Sequence, residues 1–418
     1  MSDVYLAAGT RSPFVKAGRE YAHYSARALS ASVIRYMHER AKPDILVWGQ
    51  VIPDPIVSNI ARELVFEAGL DPHTPAFSTV LACSTSFMAV VEAAGLIGRS
   101  NIHLALAGGV ETMSHIPLAL KMPVADEILG VFAKNAAKAA DRLSHLTPGE
   151  FDLPINGWAN AQSGRSQGQH TEDTVRRFAL SREDQDALAL SSHQHAVAAM
   201  DSGFFDDLVV PFGGVAHDTI PRRDTSLEKL AKLPRVYEPE TGTLTAGNSS
   251  PLTDGAASIW VADAQGMARL GLPPAVRLAD WEIAAIDFLH EDEGILMAPA
   301  RAIPRLLARN RLTFEAVASW NLHEAFAAQV LANIRAASDP AYRREKAGVD
   351  FDLGAFPWQR LNPHGGSLAL GHPFAATGAR ILSQAVKELT TMPPGSFGVV
   401  SICTDGGQGT VALLERVG

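Results

Sequence analysis

The segment AFSTVLACSTSFMAVVEAAGLI, Ala76–Ile97, joins a strand candidate to a helix candidate around a single cysteine. Its first residues, Ala76–Val80, are largely apolar, and apolar residues recur at helical spacing over Ser84–Ile97. A strand that runs into a helix places Cys83 at a helix N-terminus, where the macrodipole and free N–H groups favour a thiolate and can stabilise an oxyanion. The segment therefore predicts an α/β unit with a nucleophilic thiol.

Short strands and helices alternate in this way in two stretches of the chain, before and after its middle. The strand candidates are Val4–Ala8, Ile45–Val51, Ala76–Val80 and Ile102–Ala107 in the first stretch, and Ala275–Trp281, Val317–Trp320, Phe397–Ile402 and Thr410–Leu414 in the last. Helix candidates in the last stretch are Leu322–Ile334 and Ala375–Leu389. The alternation predicts α/β layers. It also suggests that one α/β unit is used twice, although no internal sequence repeat can be aligned.

The middle of the chain, from Pro117 to Gly242, is richer in charged residues, glutamine, histidine and turn residues. It contains helix signals such as Ser181, which precedes acidic residues in the position of an N-cap. We interpret it as an inserted domain that covers the two α/β units. Within it, Val124–Leu146 has an amphipathic pattern, and we expect it to pack on its own domain. Docking to a membrane or a partner is the alternative.

Composition limits the possible functions. The 418 residues are 47% hydrophobic and 19% charged, which is the balance of a soluble globular protein with two or more domains. The formal net charge of -9 argues against nucleic-acid binding, although a local patch could still bind an anionic ligand. We find neither an apolar run that could cross a bilayer nor a leader segment. We therefore expect no membrane association and a cytoplasmic location.

Cys403 is the second of only two cysteines. It lies in SICTDGGQG, Ser401–Gly409, at the end of an apolar strand candidate. Glycines after a strand expose backbone N–H groups and let a substrate approach, and a thiol there can give and take a proton. Taken alone, the pattern is equally that of an ordinary hairpin with a buried thiol.

Two histidines lie in segments that favour chemistry. His372 lies in GGSLALGHPFAATG, Gly365–Gly378, where Gly371 and Pro373 fix the backbone at a helix start. A histidine there can take a proton from a thiol and then donate one to a thioester oxygen. His323, in NLHEAFAAQ, is expected at the start of a helix, either in contact with solvent or as a donor to a water or a thioester oxygen. We expect no metal site, because the candidates lie in separate segments without close ligand spacing.

These segments together resemble the thiolase family, and the resemblance runs nearly from end to end. The segments that carry it are RSPF (Arg11–Phe14), GGVETMS (Gly108–Ser114), SREDQD (Ser181–Asp186), TAGNSSPLTDGA (Thr245–Ala256) and GHP (Gly371–Pro373). The last two are the most specific. Both cysteines also fall on the family's two catalytic cysteine positions, which chance packing does not readily explain.

The resemblance implies a thiolase-type α/β fold, with a duplicated five-layered α-β-α-β-α core and an inserted loop domain. Residues 1–116, with a return segment at about 243–270, would form the N-terminal half that carries the nucleophilic cysteine. Residues 117–242 would form the loop domain that covers coenzyme A (CoA), and 271–418 the C-terminal half. The resemblance also implies a homodimer or homotetramer, with a hydratase/dehydrogenase subunit as a possible further partner.

The same resemblance implies roles for the site residues. Cys83 would carry the acyl group, His372 would activate it, and Cys403 would move the proton at the α-carbon of the acyl-CoA. Backbone N–H groups of Cys83 and Asp405 would form one oxyanion hole, and His372 with a water held at His323 would form the other. The residues expected to contact CoA are Arg222, Ser250 and Phe326. No metal or redox cofactor is implied, since CoA is a substrate.

Two of the positions that depart from the usual family pattern bear on the chemistry. Most thiolases have asparagine where this chain has His323, and its HEAF segment resembles the branch found in fatty-acid oxidation complexes. That branch favours cleavage of 3-ketoacyl-CoA by CoA, which yields acetyl-CoA and a shortened acyl-CoA. Asp405 stands where glycine or alanine is usual. Because a carboxylate facing the site would oppose developing negative charge, we expect it to point away or to be paired.

Three other functions are weighed against this one. A biosynthetic acetoacetyl-CoA thiolase would use the same site in the condensing direction. A condensing synthase that works with an acyl-carrier protein lacks a second catalytic cysteine, so Cys403 argues against it. A CoA-binding scaffold without turnover is disfavoured, because all four catalytic positions carry competent groups.

Overall fold

The computed structural model describes residues 3–99, 101–152 and 159–418. Its strands over these residues are β1 (Tyr5–Arg11), β2 (Val15–Lys16), β3 (Ile45–Gly49), β4 (Ala76–Phe77), β5 (Leu104–Thr112), β6 (Ala119–Leu120), β7 (Phe151–Asp152), β8 (Thr253–Ala262), β9 (Val276–Ala285), β10 (Val317–Leu322), β11 (Phe397–Thr404) and β12 (Gln408–Arg416). Its helices over the same residues are α1 (Ala26–Arg40), α2 (Ile60–Glu67), α3 (Thr85–Leu96), α4 (Met122–Phe132), α5 (Ala136–Ser144), α6 (Gln167–Arg177), α7 (Arg182–Asp201), α8 (Leu227–Ala231), α9 (Ala264–Arg269), α10 (Pro299–Arg309), α11 (Ala327–Ser338), α12 (Pro340–Tyr342), α13 (Ser367–Leu370) and α14 (Thr377–Thr390).

Strand pairing repeats itself in the two parts of the chain. In the first unit, β1 pairs antiparallel with β8, β8 antiparallel with β5, and β5 parallel with β3. In the second unit, β9 pairs antiparallel with β12, β12 antiparallel with β11, and β11 parallel with β10. The units join where Tyr5 and Leu6 of β1 pair with β9, so that the described residues contain one ten-stranded sheet. One α/β unit is therefore used twice.

The helices form three layers around the two units. Side chains of α1 and α2 pack on the outer face of the first unit, and those of α10 and α11 pack on the outer face of the second. Between the units, Phe87 of α3 and Leu382 of α14 share a core with Ile259 of β8 and Val400 of β11. These layers give the five-layered α-β-α-β-α fold that the sequence predicted.

The helices of the central layer approach each other closely near their N-termini. A Cβ atom on Gly378 of α14 would collide with the backbone nitrogen of Phe87 in α3, so only glycine fits there. The contact is fixed by the Ala379 N–H, which donates to Ser86 Oγ at 2.8 Å. The segments that precede α3 and α14 are thereby brought together, and these segments hold Cys83 and His372.

Between β5 and β8 the chain leaves the sheet, forms α4 to α8 and the β6–β7 pair, and then returns along β8 between β1 and β5. Ser181 caps α7 as predicted, because its side chain accepts from the Asp184 N–H. The amphipathic segment Val124–Leu146 falls on α4 and α5, where Leu129 and Phe132 remain exposed. The limits of the three domains stay predictions.

Two local predictions are wrong in their limits, and one long strand was not predicted. The helix expected over Leu322–Ile334 begins only at Ala327, because the parallel pairing of β10 with β11 continues through Leu322 and the His323 N–H donates to Ser401 O. Strand β8 was not expected, since its alanine and glycine residues have low β-propensity. The strand expected over Ala76–Val80 is limited to the two residues of β4.

No helix in the described residues is both long and apolar enough to span a membrane.

Candidate active site

Cys83 lies in a 3-10 turn, Ala82–Ser84, directly before α3. The preceding residue, Ala82, has a φ of 40°, a left-handed conformation that costs energy for any residue with a side chain. Thr85 holds this turn, because its hydroxyl donates to Ala82 O at 2.8 Å and accepts from the Leu81 N–H at 2.9 Å. Strain of this kind is typical of a functional site, and nothing in the sequence predicted it.

Hydrogen bonds hold both the backbone and the ring of His372, and the ring contacts the Cys83 thiol. Its backbone N–H donates to Thr253 Oγ1 at 3.0 Å, and the preceding Gly371 has a φ of 94° with Thr253 where a Cβ would lie. Its Nδ1 lies 2.6 Å from Thr377 Oγ1, and its Nε2 lies 3.2 Å from Cys83 Sγ. If Nδ1–H donates to Thr377, Nε2 is the atom free to accept the thiol proton.

The sequence predicted that His323 begins a helix, and this prediction is wrong. His323 instead follows the end of β10. Its ring packs against that of His372, with 4.2 Å between the centroids. Nδ1 lies 2.8 Å from Ser367 Oγ, while Nε2 is buried and has no hydrogen-bond partner within the described residues. A buried ring nitrogen without a partner is costly unless a ligand meets it, so His323 presents a free polar atom beside the thiol.

Cys403 lies near the end of β11, opposite Gly409 of β12, and the turn between the two strands is the hairpin that the glycines indicated. The hydroxyl of the next residue, Thr404, donates to Leu81 O at 3.0 Å and so ties this strand end to the turn before Cys83. Burial raises the pKa of the Cys403 thiol well above its usual value, and the nearby charge of Cys83 raises it further. Both thiols therefore share one buried region.

The resting charge state of Cys83 differs from what its helix position predicted. Burial, and after it the charge of Asp405, raises the pKa of the Cys83 thiol to about 12. Burial, and after it the charge of Arg380, lowers the pKa of His372 to about 3. The pair is thus a neutral thiol beside a neutral imidazole, because the desolvation of a charge outweighs the dipole of α3.

Backbone groups near the Cys83 sulfur act against the effect of burial. Hydrogen bonding by the N–H groups of Asp405 and of Cys83 itself favours the thiolate form and lowers the pKa of Cys83. These two N–H groups are the ones that the resemblance assigned to an oxyanion hole. Donors fixed in a buried site stabilise negative charge far more than they would in water.

The Asp405 side chain is paired with the inserted segment between β5 and β8. Each of its carboxylate oxygens lies 3.4 Å from Asn160 Nδ2, so the expectation of a partner is met. These contacts are long, and the carboxylate still raises the pKa of Cys83. Asn160 was not anticipated, since 245 positions separate the two residues.

The donor atoms of Cys83, His323 and His372 lie within 4.8 Å of one another, a spacing that a metal ion could use. Buried Arg380 lies behind the two histidines and its charge lowers the pKa of both, so it would also repel a cation at this position. The 3.2 Å contact between Cys83 and His372 is instead that of a hydrogen bond. We therefore treat the group as a proton-transfer site.

Two of the three expected CoA contacts lie together. The Ser250 N–H donates to Ala325 O at 2.9 Å, which places Ser250 next to Phe326 and near the HEAF segment. Tyr237 packs edge-on against Phe326 with 6.0 Å between the ring centroids. Arg222 lies on an exposed turn, where its N–H donates to His193 Nδ1, and no described contact joins it to the other two.

Several residues around the site were not anticipated. They are Asn160, Thr253, Ser367, Thr377 and Arg380. Ser367 and Thr377 lie inside the GGSLALGHPFAATG segment, and Arg380 follows two residues after it. For these three residues the only available signal was closeness to His372 in the sequence, and for Thr253 it was its place in the TAGNSSPLTDGA segment. Neither signal reveals what each side chain contacts.

The chain is similar to known proteins over almost its whole length. A family model described as "Thiolase, N-terminal domain" matches residues 4–265, and one described as "Thiolase, C-terminal domain" matches residues 272–416. Proteins named 3-ketoacyl-CoA thiolase from Yersinia enterocolitica and Yersinia pestis are each 35% identical over 425 residues, covering 99% of this chain and 96% of theirs.

Two solved structures share the fold. The crystal structure of the Bacillus anthracis acetyl-CoA acetyltransferase matches with a TM-score of 0.81 at 27% identity, covering 100% of this chain and 99% of that one. The structure of the Acat5 thiolase from Ascaris suum in complex with coenzyme A matches with a TM-score of 0.80 at 25% identity, covering 99% of this chain and 100% of that one.

Proposed function

This chain belongs to the thiolase family, and we propose that it cleaves 3-ketoacyl-CoA with CoA through an acyl group carried on Cys83. The single observation that carries the proposal is the buried contact of 3.2 Å between Cys83 Sγ and His372 Nε2. A neutral thiol cannot attack a carbonyl efficiently, so a base in direct contact is what the nucleophile needs. Cys403 supplies a second proton carrier in the same buried region.

The first half of the reaction breaks the carbon–carbon bond. The Cys83 sulfur bonds to the 3-keto carbon while its proton passes to His372 Nε2, and the N–H groups of Cys83 and Asp405 hold the resulting oxyanion. When the oxyanion collapses, the bond between C2 and C3 breaks and its electron pair stays on C2 as the enolate of acetyl-CoA. Cys403 gives its proton to C2, and acetyl-CoA leaves.

The second half releases the shortened acyl group. The sulfur of a new CoA bonds to the acyl carbon on Cys83, and its thiol proton returns to Cys403. The bond to the Cys83 sulfur then breaks, and this sulfur takes back the proton held on His372. The enzyme ends as it began, and 3-ketoacyl-CoA plus CoA has become acetyl-CoA plus an acyl-CoA shorter by two carbons.

The enolate needs its own partners, since its negative charge lies on the thioester oxygen. His323 Nε2 is buried beside the Cys83 thiol and has no hydrogen-bond partner in the part of the chain that the structure describes, which suits it to meet this oxygen directly or through a water. For CoA itself, Ser250 and Phe326 lie next to the HEAF segment and would contact the pantetheine arm. Arg222, on its exposed turn, would meet the nucleotide end.

The degradative direction is favoured over biosynthesis of acetoacetyl-CoA by the names of the relatives at 35% identity, both 3-ketoacyl-CoA thiolases. The finer assignments belong to the same proposal. We infer a homodimer or homotetramer from the family resemblance, and a hydratase/dehydrogenase partner subunit from the resemblance to the fatty-acid oxidation branch. We also propose a cytoplasmic location. The order of chemistry above needs no redox cofactor, because the oxidation of C3 from ketone to thioester is balanced by the reduction of C2 from methylene to methyl.

Two cysteine variants separate the steps. Cys83→Ala should lose both thiolysis of 3-ketoacyl-CoA and acylation by acyl-CoA, as read by mass spectrometry of the protein. Cys403→Ala should lose thiolysis but keep acylation of Cys83, because a CoA thiolate can leave without a proton from Cys403, whereas the carbanion at C2 needs one. Thiolysis that survives in both variants would overturn the proposal, and CoA binding without any wild-type turnover would support the scaffold.

Substrate preference tests the direction. We expect wild-type thiolysis across a series of 3-ketoacyl-CoA chain lengths to include substrates longer than acetoacetyl-CoA. Activity confined to acetoacetyl-CoA would instead favour the biosynthetic alternative.

A further inference from the structure

We propose that Arg380, acting through the hydroxyl of Ser367, is a positioning residue that holds His323 as a neutral donor with its proton on Nε2, directed at the enolate oxygen. This inference rests on the proposed function, since it gives a role to His323 in that reaction. Arg380 takes no direct part in bond making or breaking. It acts from behind the histidine pair, at the far end of a chain of two hydrogen bonds.

The chain of hydrogen bonds is short and buried. Arg380 Nη2 donates to Ser367 Oγ at 2.7 Å, and the same oxygen lies 2.8 Å from His323 Nδ1. Arg380 is 4% exposed, His323 is 1% exposed and Ser367 is fully buried, so water does not compete for these bonds. The three side chains come from α14, from the end of β10 and from the start of α13, and only the fold brings them into line.

The direction of each hydrogen bond follows from the donors available. A guanidinium can only donate, so Ser367 Oγ must accept from Arg380. The Ser367 proton then has one described acceptor, which is His323 Nδ1. If Nδ1 instead carried the proton, the Ser367 hydroxyl would be left without an acceptor in a buried place. His323 therefore carries its proton on Nε2, the atom that faces the reaction space.

The charges around the chain favour the same state. Burial, and then the charges of His372 and Arg380, lowers the pKa of His323 well below its usual value, so its ring stays neutral. The pKa of Arg380 is itself lowered to about 9 by burial and by Arg11, and it is raised by Glu324, Asp218 and Glu388. Arg380 remains a cation at neutral pH, because a pKa of about 9 lies above that pH.

Asp218 does little to neutralise Arg380. It is bound to Arg11, whose Nη1 and Nη2 lie 2.5 and 2.6 Å from its two oxygens, and it also accepts from the Phe14 N–H. Glu324 is held by Ser192 and by the Leu368 N–H. The positive charge of Arg380 that these carboxylates leave uncompensated therefore acts on His323 through the Ser367 hydroxyl.

The hydrogen-bond chain acts on the enolate step, because it ends at His323. Hydrogen bonds that run in one direction polarise one another, so a cation at one end strengthens the donor at the other end. The Nε2–H of His323 becomes a stronger donor to a negative oxygen without becoming acidic enough to carry a charge. In His372 the roles of the two ring nitrogens are reversed, since Nδ1 lies against the Thr377 hydroxyl and Nε2 lies against the Cys83 thiol. Two adjacent imidazoles thus serve as a base and as a donor.

The experiment compares two half-reactions in the full-length enzyme. Exchange of the α-protons of acetyl-CoA in D₂O reports enolate formation, and acylation of Cys83 by an acyl-CoA reports the thiol and His372. The variants are Ser367→Ala, Arg380→Met and Arg380→Lys. The control is Ser383→Ala, which removes a different buried hydroxyl, on α14, whose hydrogen bonds among the described residues are to Gly9 N and Ser258 O. Unfolding midpoints of all variants show whether each one folds.

We expect Ser367→Ala and Arg380→Met to slow α-proton exchange about 10- to 100-fold, in line with the loss of part of one oxyanion donor. Acylation should fall by less than about threefold. In Arg380→Met the acidic limb of the exchange rate should move to higher pH, since a cation that lowers the pKa values of His323 and His372 is gone. Arg380→Lys should restore most of the exchange rate and keep the limb in place.

Other outcomes would overturn the inference. Equal losses in exchange and acylation, or an equal loss in Ser383→Ala, would mean that the bridge only supports the fold. An unshifted acidic limb in Arg380→Met would mean that the charge does not reach the histidines. A wild-type enzyme that is never acylated on Cys83 would instead sink the proposed function, which distinguishes the two failures.

Discussion

At the scale of single residues, Asp405 is the unusual group of the site. It places a carboxylate in the turn after Cys403, where hydrogen bonding by the backbone N–H of the same residue lowers the pKa of Cys83. The N–H favours the thiolate and the carboxylate opposes it, so one residue acts on Cys83 in both senses. The Asn160 amide lies 3.4 Å from both oxygens, too far to cancel the charge.

Removal of this charge should make Cys83 more reactive. In Asp405→Asn the carboxylate that raises the pKa of Cys83 is lost, so the pKa falls from about 12. We expect alkylation of the free enzyme by iodoacetamide at pH 8, followed on the Cys83 peptide, to be about 3- to 10-fold faster. Asp350→Asn, which removes an exposed carboxylate elsewhere, is the control. An unchanged rate would show that the Asp405 charge does not act on the sulfur.

At the scale of elements, the meeting of α3 and α14 sets the distance between nucleophile and base. Cys83 precedes one helix and His372 precedes the other, so the contact of 3.2 Å depends on how closely the two helices pack. Glu111, at the end of β5, adds a second tie between the units. Its carboxyl oxygens accept from the N–H groups of Val51, Ile52 and Ala375.

A single methyl group should test this packing. Gly378→Ala places a Cβ against the Phe87 backbone nitrogen in α3, and backbone cannot yield as a flexible side chain does. We expect a loss of about 1–3 kcal/mol in the free energy of unfolding, measured by urea denaturation, together with lower thiolysis. Gly130→Ala in α4 is the matched control, because its Cβ meets no atom within 4 Å. It should gain up to about 1 kcal/mol from helix propensity.

A loss of equal size in both glycine variants would contradict the packing explanation. It would indicate that alanine is unfavourable in these helices for a reason other than the approach of α3 and α14.

Short motifs allowed the fold class and four site residues to be predicted, because each motif is a local signal. What they could not predict depends on contacts between distant segments. The bridge from His323 through Ser367 to Arg380 spans 44 and then 13 positions. The neutral state of Cys83 follows from burial, which a short motif around the cysteine does not reveal. The late start of α11 also depends on a distant contact, because pairing with β11 continues β10 through Leu322.

At the scale of the whole molecule, several buried histidines remain neutral in the folded protein. Burial lowers the pKa values of four of them below the usual value, and these are His170, His193, His323 and His372. The unfolded chain binds protons at these rings from about pH 6.5 downward, whereas the folded chain does not. Their contribution to stability is therefore complete above pH 6.5 and is lost as the pH falls.

Stability should accordingly fall between pH 6.5 and 5, above the range where most carboxylates titrate. Each neutral histidine contributes a slope of up to about 1.4 kcal/mol per pH unit. Urea unfolding at pH 7.5, 6.5 and 5 measures the trend. His193→Gln, which removes a ring whose pKa is lowered to about 4, should reduce the slope, whereas His290→Gln at an exposed position should not. A midpoint that rises as the pH falls would contradict the account.

The shared strand order of the two units also bears on ancestry. Two identical copies of an ancestral unit could build a thiol–imidazole contact across their meeting face only if each copy carried both groups. In one continuous chain, the first unit needs only the thiol before α3, and the second only the imidazole before α14. Each gene half was then free to diverge, which explains why the pairing pattern still repeats while no sequence repeat can be aligned.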